Sequence, residues 1–304
     1  MEFKLQNSIN QQVLLPNCTE VKLFIKREDR IHPFVSGNKY RKLKYNLKEV
    51  LKQDLDTLVT FGGAFSNHIA AVAAAGKGFG IKTIGVIRGE ELETKIDENP
   101  TLSFAKQNGM QFKFVPRDVY RTKHSEAFKS QLKKEFGDFY LVPEGGSNSL
   151  AVKGCEEILT EEDYGFDFIC CAVGTGGTIS GIINGSKSSQ QILGFPALKG
   201  HFLQEDISKF ATKGNWKLIT DYHFGGYAKI NQDLVAFINQ FKTLYNISLD
   251  PVYTGKMLFG IFDLIEKKFF PQGARILAVH TGGLQGIEGM NNLLKKKKLP
   301  LIIK

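Results

Sequence analysis

The chain has 304 residues, of which 42% are hydrophobic and 23% charged, and 40 Lys and Arg against 31 Asp and Glu give a formal net charge of +9. This length suggests about two domains with their own cores, and the composition excludes a disordered or fibrous protein. The basic residues are spread along the chain, and the one dense run, at 295–298, is typical of a solvated helix end. We therefore expect no nucleic-acid partner.

The sequence also gives no indication of a membrane or of a metal. The longest apolar runs fall short of the roughly 18 residues of a membrane span, and the N-terminal residues carry no targeting signal. The four cysteines, Cys18, Cys155, Cys170 and Cys171, show no CxxC spacing. We expect neither a zinc site nor a disulfide framework, and a reducing, cytoplasmic location fits this cysteine usage.

Strand-like and helix-like segments alternate along the chain. Runs of β-branched or aromatic residues predict strands at 21–26, 57–61, 83–87, 112–115, 139–142, 168–173, 192–195 and 275–279. Helical periodicity predicts helices at 40–51, 67–77, 118–136, 147–159, 178–185, 233–245, 255–267 and 284–295. This alternation predicts an α/β protein with parallel sheets flanked by helices and a ligand site between its domains.

A glycine-rich loop at 174–178, with the sequence GTGGT, joins a predicted buried strand to a predicted helix. Its glycines let several backbone N–H groups converge, Thr175 and Thr178 add hydroxyl donors, and the helix dipole favours an anion. The loop matches neither the GxxxxGK[ST] pattern nor a dinucleotide fingerprint. We interpret it as a phosphate site, with a plain strand-to-helix turn as the alternative.

Two further segments carry polar groups at predicted helix starts. The sequence Ser36-Gly37-Asn38 predicts a turn and cap, so Lys39 lies in the first helical turn, where the dipole lowers the pKa of its amine. We expect Lys42, Lys44 and Lys48 on the same helix to extend into water. Ser66-Asn67-His68 opens an alanine-rich helix and indicates a carboxylate or cofactor site, the alternative being simple capping with His68 on the helix surface.

A phosphate loop, a lysine with a lowered pKa and a polar helix start together suggest pyridoxal 5′-phosphate as the cofactor. The chain resembles fold-type II pyridoxal-phosphate enzymes, the tryptophan synthase β group, and within it the branch of 1-aminocyclopropane-1-carboxylate (ACC) deaminases and D-cysteine desulfhydrases. Seven motifs carry the resemblance in family order: KRED at 26–29, SGNKYRKL at 36–43, SNH at 66–68, PEGGSN at 143–148, GTGGT at 174–178, DPVYTGKM at 250–257 and HTGG at 280–283.

The resemblance implies roles for particular residues. Lys39 would hold the cofactor covalently, Asn67 would face its 3′-hydroxyl, and Ser66 and His68 would lie in the loop that receives the substrate carboxylate. The implied phosphate-binding residues are Gly174, Thr175, Gly176, Gly177 and Thr178. The residues implied in catalysis are Lys39, Ser66, Tyr253 and Tyr227.

The resemblance also implies a two-domain fold, with residues 1–42 and 147–304 in a large cofactor-binding domain and residues 43–146 in a small α/β domain. It further implies a homodimer that acts on a small amino acid. Phe65 departs from the branch, which typically has Gln before the SNH motif.

The two activities of the branch differ near the ring nitrogen of the cofactor. ACC deaminases carry Glu after the DPVY tyrosine and Leu within the H-x-G-G motif, whereas desulfhydrases have hydroxyl residues at both positions, and this chain has Thr254 and Thr281. A neutral hydroxyl suits the loss of sulfide from D-cysteine, because opening a cyclopropane ring makes a stronger electron demand. We therefore expect a lyase of the D-cysteine desulfhydrase type. ACC deaminase activity and a pyridoxal-phosphate-binding protein without turnover are the alternatives.

Overall fold

A computed structural model describes residues 1–15, 20–200 and 202–304, so Cys18 lies outside the described residues. The strands are β1 (Asn10–Val13), β2 (Lys22–Lys26), β3 (Thr57–Gly62), β4 (Lys82–Arg88), β5 (Gln111–Val115), β6 (Tyr140–Val142), β7 (Phe168–Val173), β8 (Gln191–Pro196), β9 (Trp216–Leu218) and β10 (Arg275–Val279).

The helices follow the strands in an alternating order. They are α1 (Asn38–Lys52), α2 (Asn67–Phe79), α3 (Pro100–Gln107), α4 (Arg117–Arg121), α5 (Glu126–Phe136), α6 (Ser149–Glu156), α7 (Gly177–Gly185), α8 (Phe202–Ser208), α9 (Gln232–Tyr245), α10 (Thr254–Glu266) and α11 (Gly286–Lys296). None of the described helices is long and apolar enough to cross a membrane.

The strands form two sheets. One has six strands in the order β1-β2-β10-β7-β8-β9, parallel except for the antiparallel pair β1 and β2. The other has four parallel strands in the order β5-β4-β3-β6. The predicted α/β fold with mostly parallel sheets is confirmed. The strands of the smaller sheet all lie within residues 43–146, and the proposed division into two domains stays a prediction.

Helices cover both faces of each sheet, which is why β3 and β7 are buried along nearly their whole length rather than on alternate residues. In β7, Cys170 and Ala172 pack on one face with α9 and α10, while Ile169, Cys171 and Val173 pack on the other face with α7. In the smaller sheet, β3 is buried along its whole length between α2 on one side and α5 on the other.

Glycines allow the helices α1, α6 and α7 to approach one another closely. A Cβ on Gly154 of α6 would lie 1.9 Å from the carbonyl oxygen of Arg41 in α1, and a Cβ on Gly181 of α7 would lie 2.4 Å from the side chain of Cys155 in α6. No larger residue fits at either position. This packing fixes the N-terminus of α1 relative to that of α7.

The predicted strands all occur within one or two residues of the predicted limits, and the structure adds the short β1 and β9. One helix prediction is wrong. The segment 118–136 forms two helices, because α4 ends at Arg121 and α5 begins after Ser125. The side chain of Ser125 caps α5 by accepting from the N–H of Phe128. The helices α3 and α8 were not predicted.

Candidate active site

A cavity of about 670 Å³ opens at the carboxyl ends of the parallel strands. Most of its wall consists of residues at the start of α1 and in the segments that follow β3, β4, β6, β7 and β10, and further residues come from the segments after β5, β8 and β9. This is the edge at which parallel α/β proteins bind ligands. Most of the residues proposed from the sequence line it: Lys39, Ser66, Asn67, His68, Gly174, Thr175, Gly176, Thr178, Tyr227, Tyr253 and Thr281.

Lys39 lies in the first turn of α1, as the sequence predicts. The chain enters this helix through Gly37, which has φ +56° and lies so close to the neighbouring loop that a Cβ would be 2.1 Å from the carbonyl oxygen of Thr281. The amine of Lys39 donates to Asn38 Oδ1 at 3.0 Å. Burial, together with the nearby Lys42, lowers the pKa of Lys39 to about 7. A large fraction of the amine is therefore neutral at pH 7 and nucleophilic.

The expectation that Lys42 extends into water is wrong. Its side chain is only 3% exposed and lines the same cavity, because residues at i and i+3 share a helix face with Lys39. The Lys42 amine donates to the carbonyl oxygen of Gly145 at 2.8 Å and to Ser147 Oγ at 3.0 Å. It lies beside the glycine loop, 3.5 Å from Thr175 Oγ1. Lys42 is thus a functional candidate that was not proposed from the sequence, although its spacing of three residues from Lys39 could have indicated it.

The loop 174–178 joins β7 to α7 and forms one side of the cavity. Gly176, with φ +81°, is the residue before the helix, and it offers no side chain to cap the N–H groups of the first turn. Thr178 Oγ1 accepts from Asn38 Nδ2 at 2.9 Å, which links this helix start to that of α1. Uncapped N–H groups at a helix start attract an anion. Gly177, also proposed from the sequence, begins α7 and does not itself line the cavity.

The start of α2 contributes Ser66 and Asn67. Ser66 Oγ accepts from the N–H of Ile69 at 3.3 Å, so this serine does cap the helix. Asn67 Oδ1 is buried and has no hydrogen-bond partner within the described residues. A Cβ on Gly283 would lie 2.6 Å from Asn67 Nδ2, so the amide is held against the 280–283 loop. An unpaired buried amide in a cavity wall is a site that a polar ligand atom would satisfy.

His68 is buried in the cavity wall, and the alternative that it lies on the helix surface is excluded. Its Nε2 is 2.8 Å from Thr60 Oγ1, whose hydroxyl donates to the carbonyl oxygen of Val142. This network assigns the imidazole proton to Nε2. Burial, with Lys39 and Lys42 nearby, holds the pKa of His68 well below its ordinary value, so the ring is neutral. Its ring therefore has no N–H donor left for a carboxylate.

Two tyrosines face each other across the cavity. Tyr253 follows a turn that Asp250 organises, because the Asp250 carboxylate accepts from the backbone N–H groups of Val252, Tyr253 and Thr254 at 2.8–2.9 Å. The ring of Tyr227 lies 6.4 Å from that of Tyr253, edge to face. Burial raises the pKa of both phenols. Both hydroxyl groups are therefore protonated at neutral pH.

The two threonines proposed near the ring nitrogen have different positions in the structure, since only one of them lines the cavity. Thr281 lines the cavity in a loop that His280 stabilises by accepting from the N–H of Gly282 at 3.2 Å. Thr254 does not line it: its hydroxyl donates to Asp250 Oδ1 at 2.8 Å and accepts from the N–H of Asp250 at 3.0 Å. The expectation is corrected to Thr281 alone, because Thr254 is fully used in the Asp250 turn.

Charged residues not proposed from the sequence surround the mouth of the cavity. Its two carboxylates are already paired, Glu91 with Arg117 and Glu144 with Lys123. Arg88 has no ion pair or side-chain hydrogen bond within the part of the chain that the structure describes, and its guanidinium lies 3.7 Å from where a Cβ on the neighbouring glycine 63 would be. The apolar side chains at the mouth are Phe65, Leu92 and Phe202.

These features fit pyridoxal phosphate. An uncapped helix start beside the buried Lys42 suits a phosphate, the neutral amine of Lys39 suits an aldehyde carbon, and the unpaired Asn67 amide suits a ring substituent. Within the described residues, His, Cys, Asp and Glu form no group that could hold a metal ion.

Comparison with known proteins agrees with this fit. Residues 11–282 match the family model described as "Pyridoxal-phosphate dependent enzyme". The chain is 33% identical, over 90% of its length and 74% of the relative, to the "Bifunctional D-cysteine desulfhydrase/1-aminocyclopropane-1-carboxylate deaminase, mitochondrial" of Arabidopsis thaliana. It is 28% identical, over 86% of both chains, to the D-cysteine desulfhydrase of Klebsiella pneumoniae. A crystal structure described as an ACC deaminase homologue superposes with a TM-score of 0.76 at 29% identity, covering 90% of this chain and 88% of the other.

Proposed function

Because the chain belongs to the family of pyridoxal-phosphate-dependent enzymes, we propose that it is a lyase that converts D-cysteine and water into pyruvate, ammonia and sulfide. The observation that carries the choice of substrate is Thr281, the neutral hydroxyl residue in the cavity wall. By the resemblance, it stands where the cofactor's ring nitrogen is tuned. A hydroxyl there favours the loss of a good leaving group over the opening of a strained ring.

The residues that would hold the cofactor come from three helix starts. The N–H groups of the 174–178 loop and the Lys42 ammonium would receive the phosphate, Asn67 would bind the 3′-hydroxyl, and Lys39 would form the covalent link. When bound, pyridoxal phosphate supplies the electron sink that stabilises negative charge at the substrate α-carbon.

Lys39 is proposed to move the proton. With substrate bound, the free Lys39 amine would be the base that removes the α-proton. Its pKa of about 7 suits this role, since an ordinary lysine would be protonated at neutral pH and could not accept a proton. Lys42 stays hydrogen-bonded to Gly145 and Ser147 and is not available as a second base.

The substrate carboxylate is assigned to the start of α2. Ser66, Asn67 and the backbone N–H groups of this helix start supply donors there, and Arg88 adds a positive charge at the mouth. Tyr253 and Tyr227, whose phenols remain protonated, would hydrogen-bond the departing sulfur. Loss of sulfide from the β-carbon and hydrolysis of the carbon–nitrogen bond complete the reaction.

The alternatives make different products. ACC deaminase activity would release 2-oxobutanoate and ammonia from ACC, and a binding protein without turnover would take up the cofactor but release neither product. Purified, cofactor-loaded protein is assayed separately with D-cysteine, L-cysteine, D-serine, β-chloro-D-alanine and ACC. Sulfide and pyruvate in equal amounts from D-cysteine support the proposal, and 2-oxobutanoate from ACC at a comparable rate overturns the choice of substrate.

We also propose a homodimer in a reducing cytoplasm. The family resemblance supports the dimer, and the described cysteines, Cys155, Cys170 and Cys171, are buried free thiols, as expected of a protein that does not rely on disulfides. Light scattering tests the oligomeric state directly.

A further inference from the structure

Lys256 is a buried lysine that the proposed mechanism does not use. It lies in the first turn of α10, three residues after Tyr253, and is only 2% exposed. Within the described residues, no carboxylate lies within 4.0 Å of its amine. A cation in this position is unfavourable twice over, since burial and the positive end of the helix dipole both oppose its charge. Such a placement calls for a compensating interaction.

The compensation comes from two backbone carbonyl groups of one loop. The Lys256 amine donates to the carbonyl oxygen of His223 at 2.9 Å and to that of Gly226 at 2.8 Å. The same two carbonyls close consecutive turns, because they accept from the N–H groups of Gly226 and Lys229 at 3.0 and 3.2 Å. The amine of Lys256 thus forms a hydrogen bond to each of the two turns of the loop 223–229.

This loop has an unfavourable backbone conformation. Phe224 and Ala228 have φ of +53° and +54°, and the two glycines between them, 225 and 226, also have positive φ. A non-glycine residue in the left-handed region costs on the order of 1 kcal/mol, so the loop would relax without external support. Besides Lys256, that support comes from Phe224, whose ring packs on Phe259 of α10 at 5.0 Å.

The loop carries Tyr227 into the cavity. Tyr227 lies between the two residues of unfavourable backbone, directly after Gly226, and its ring faces Tyr253. Tyr253 itself is fixed by the Asp250 turn at the start of α10. The two tyrosines, 26 positions apart in the sequence, are therefore both attached to one helix start, Tyr253 directly and Tyr227 through Lys256.

We propose that Lys256 is a positioning residue, whose ammonium group holds the loop 223–229 so that Tyr227 faces Tyr253 in the active site. The effect on catalysis rests on the proposed function, whereas the effect on the loop does not. Burial lowers the pKa of Lys256 to about 8, while Asp250 opposes this shift, so the side chain is mainly an ammonium at neutral pH.

The test combines hydrogen exchange with a double-mutant cycle on the cofactor-loaded enzyme. In Lys256→Met, which keeps the volume and removes the donor, we expect the amides of 225–229 to exchange at least about tenfold faster, while those of α10 are unchanged. Because displacing a catalytic group by about 1 Å can cost up to a hundredfold, we expect kcat to fall roughly ten- to a hundredfold. In a Tyr227→Phe background, Lys256→Met should lower kcat little further.

Lys26→Met is the matched control. Lys26 is also 2% exposed, but its amine forms an ion pair with Asp163 at 2.7 Å, and neither residue lines the cavity. Loss of the Lys26 amine should therefore lower stability without changing hydrogen exchange at 225–229. Lys256→Gln, which keeps a shorter donor, should give intermediate exchange and serves if the methionine variant does not fold. Unchanged loop exchange in Lys256→Met and Lys256→Gln overturns the proposal. The proposal is also overturned if Lys256→Met lowers kcat by the same factor in the Tyr227→Phe background as in the wild-type enzyme. If D-cysteine is not a substrate, the proposed function fails, but the hydrogen-exchange rates at 225–229 still decide whether Lys256 holds the loop.

Discussion

Lys42 lies one helical turn after Lys39 on α1, and its ammonium adds to the burial that lowers the pKa of Lys39 to about 7. Two lysine side chains therefore face one cavity, yet their hydrogen-bond partners differ. Lys42 donates to Gly145 and Ser147, whereas Lys39 donates only to the side chain of Asn38. The two lysines thus have different environments. Burial lowers the pKa of both, but Lys42 is hydrogen-bonded to a carbonyl and a hydroxyl group, whereas Lys39 supplies a largely neutral nucleophile.

The lowered pKa of Lys39 predicts the pH dependence of covalent cofactor attachment. Only the neutral amine attacks the aldehyde, so the attachment rate of cofactor-free protein should rise with pH up to about 7 and then level off. An ordinary lysine would show a rate that still rises above pH 9. Stopped-flow absorbance measures the rate, and borohydride labelling identifies the residue. Lys39→Ala should abolish labelling and turnover, whereas Lys48→Ala, an exposed residue of the same helix, should retain both.

Removal of the Lys42 ammonium should weaken cofactor binding through the phosphate. Loss of a hydrogen bond to a charged group costs about 1.5–3 kcal/mol, so Lys42→Met should raise the Kd for pyridoxal phosphate roughly ten- to a hundredfold. Pyridoxal, which lacks the phosphate, is the matched ligand, and its Kd should change little. If the variant weakens both ligands equally, Lys42 does not act on the phosphate.

The close approach of Gly37 to Thr281 predicts a strong effect on stability. Gly37→Ala would place a Cβ 2.1 Å from a carbonyl oxygen at positive φ, and we expect it to lower the free energy of unfolding by about 3 kcal/mol or more. Gly273→Ala is the control, because Gly273 also has positive φ but nothing within 4 Å. That variant should lose only about 1 kcal/mol. Urea denaturation measures both, and equal losses would show that backbone strain, rather than the contact with Thr281, dominates.

Arg88 should act on substrate binding rather than on chemistry. Its charge at the cavity mouth attracts the carboxylate of the amino-acid substrate, so Arg88→Gln should raise KM about threefold at low ionic strength, leave kcat unchanged and reduce the salt dependence of kcat/KM. Arg121→Gln removes an exposed charge at the end of α4, outside the cavity wall, and should leave KM unchanged. An equal change in both variants would indicate an effect of overall charge only.

The parts of this fold that depend on local pattern were predictable from the sequence. The strands β3 and β7 are mostly apolar because both faces of their sheets are covered, and glycine-rich loops follow them at the cavity. The division between α4 and α5 was not predictable from periodicity, since the apolar spacing continues across the Ser125 cap.

Side-chain partners from distant segments account for most of what was missed in the site. The burial of Lys42 depends on carbonyl and hydroxyl groups about a hundred positions later in the chain, and that of Lys256 depends on the conformation of a loop with no regular pattern. Thr254 looked equivalent to Thr281, but Asp250, four residues earlier, takes up its hydroxyl. Spacing indicates which side chains share a face, whereas the hydrogen bonds each one makes are decided by tertiary contacts.

The most direct measurement of the central claim is a paired product assay on the cofactor-loaded enzyme. With D-cysteine, we predict equimolar sulfide and pyruvate, abolished by Lys39→Ala and retained by Lys48→Ala. With ACC, we predict no 2-oxobutanoate above the level of the Lys39→Ala protein. Release of 2-oxobutanoate from ACC, without sulfide from D-cysteine, would contradict the account.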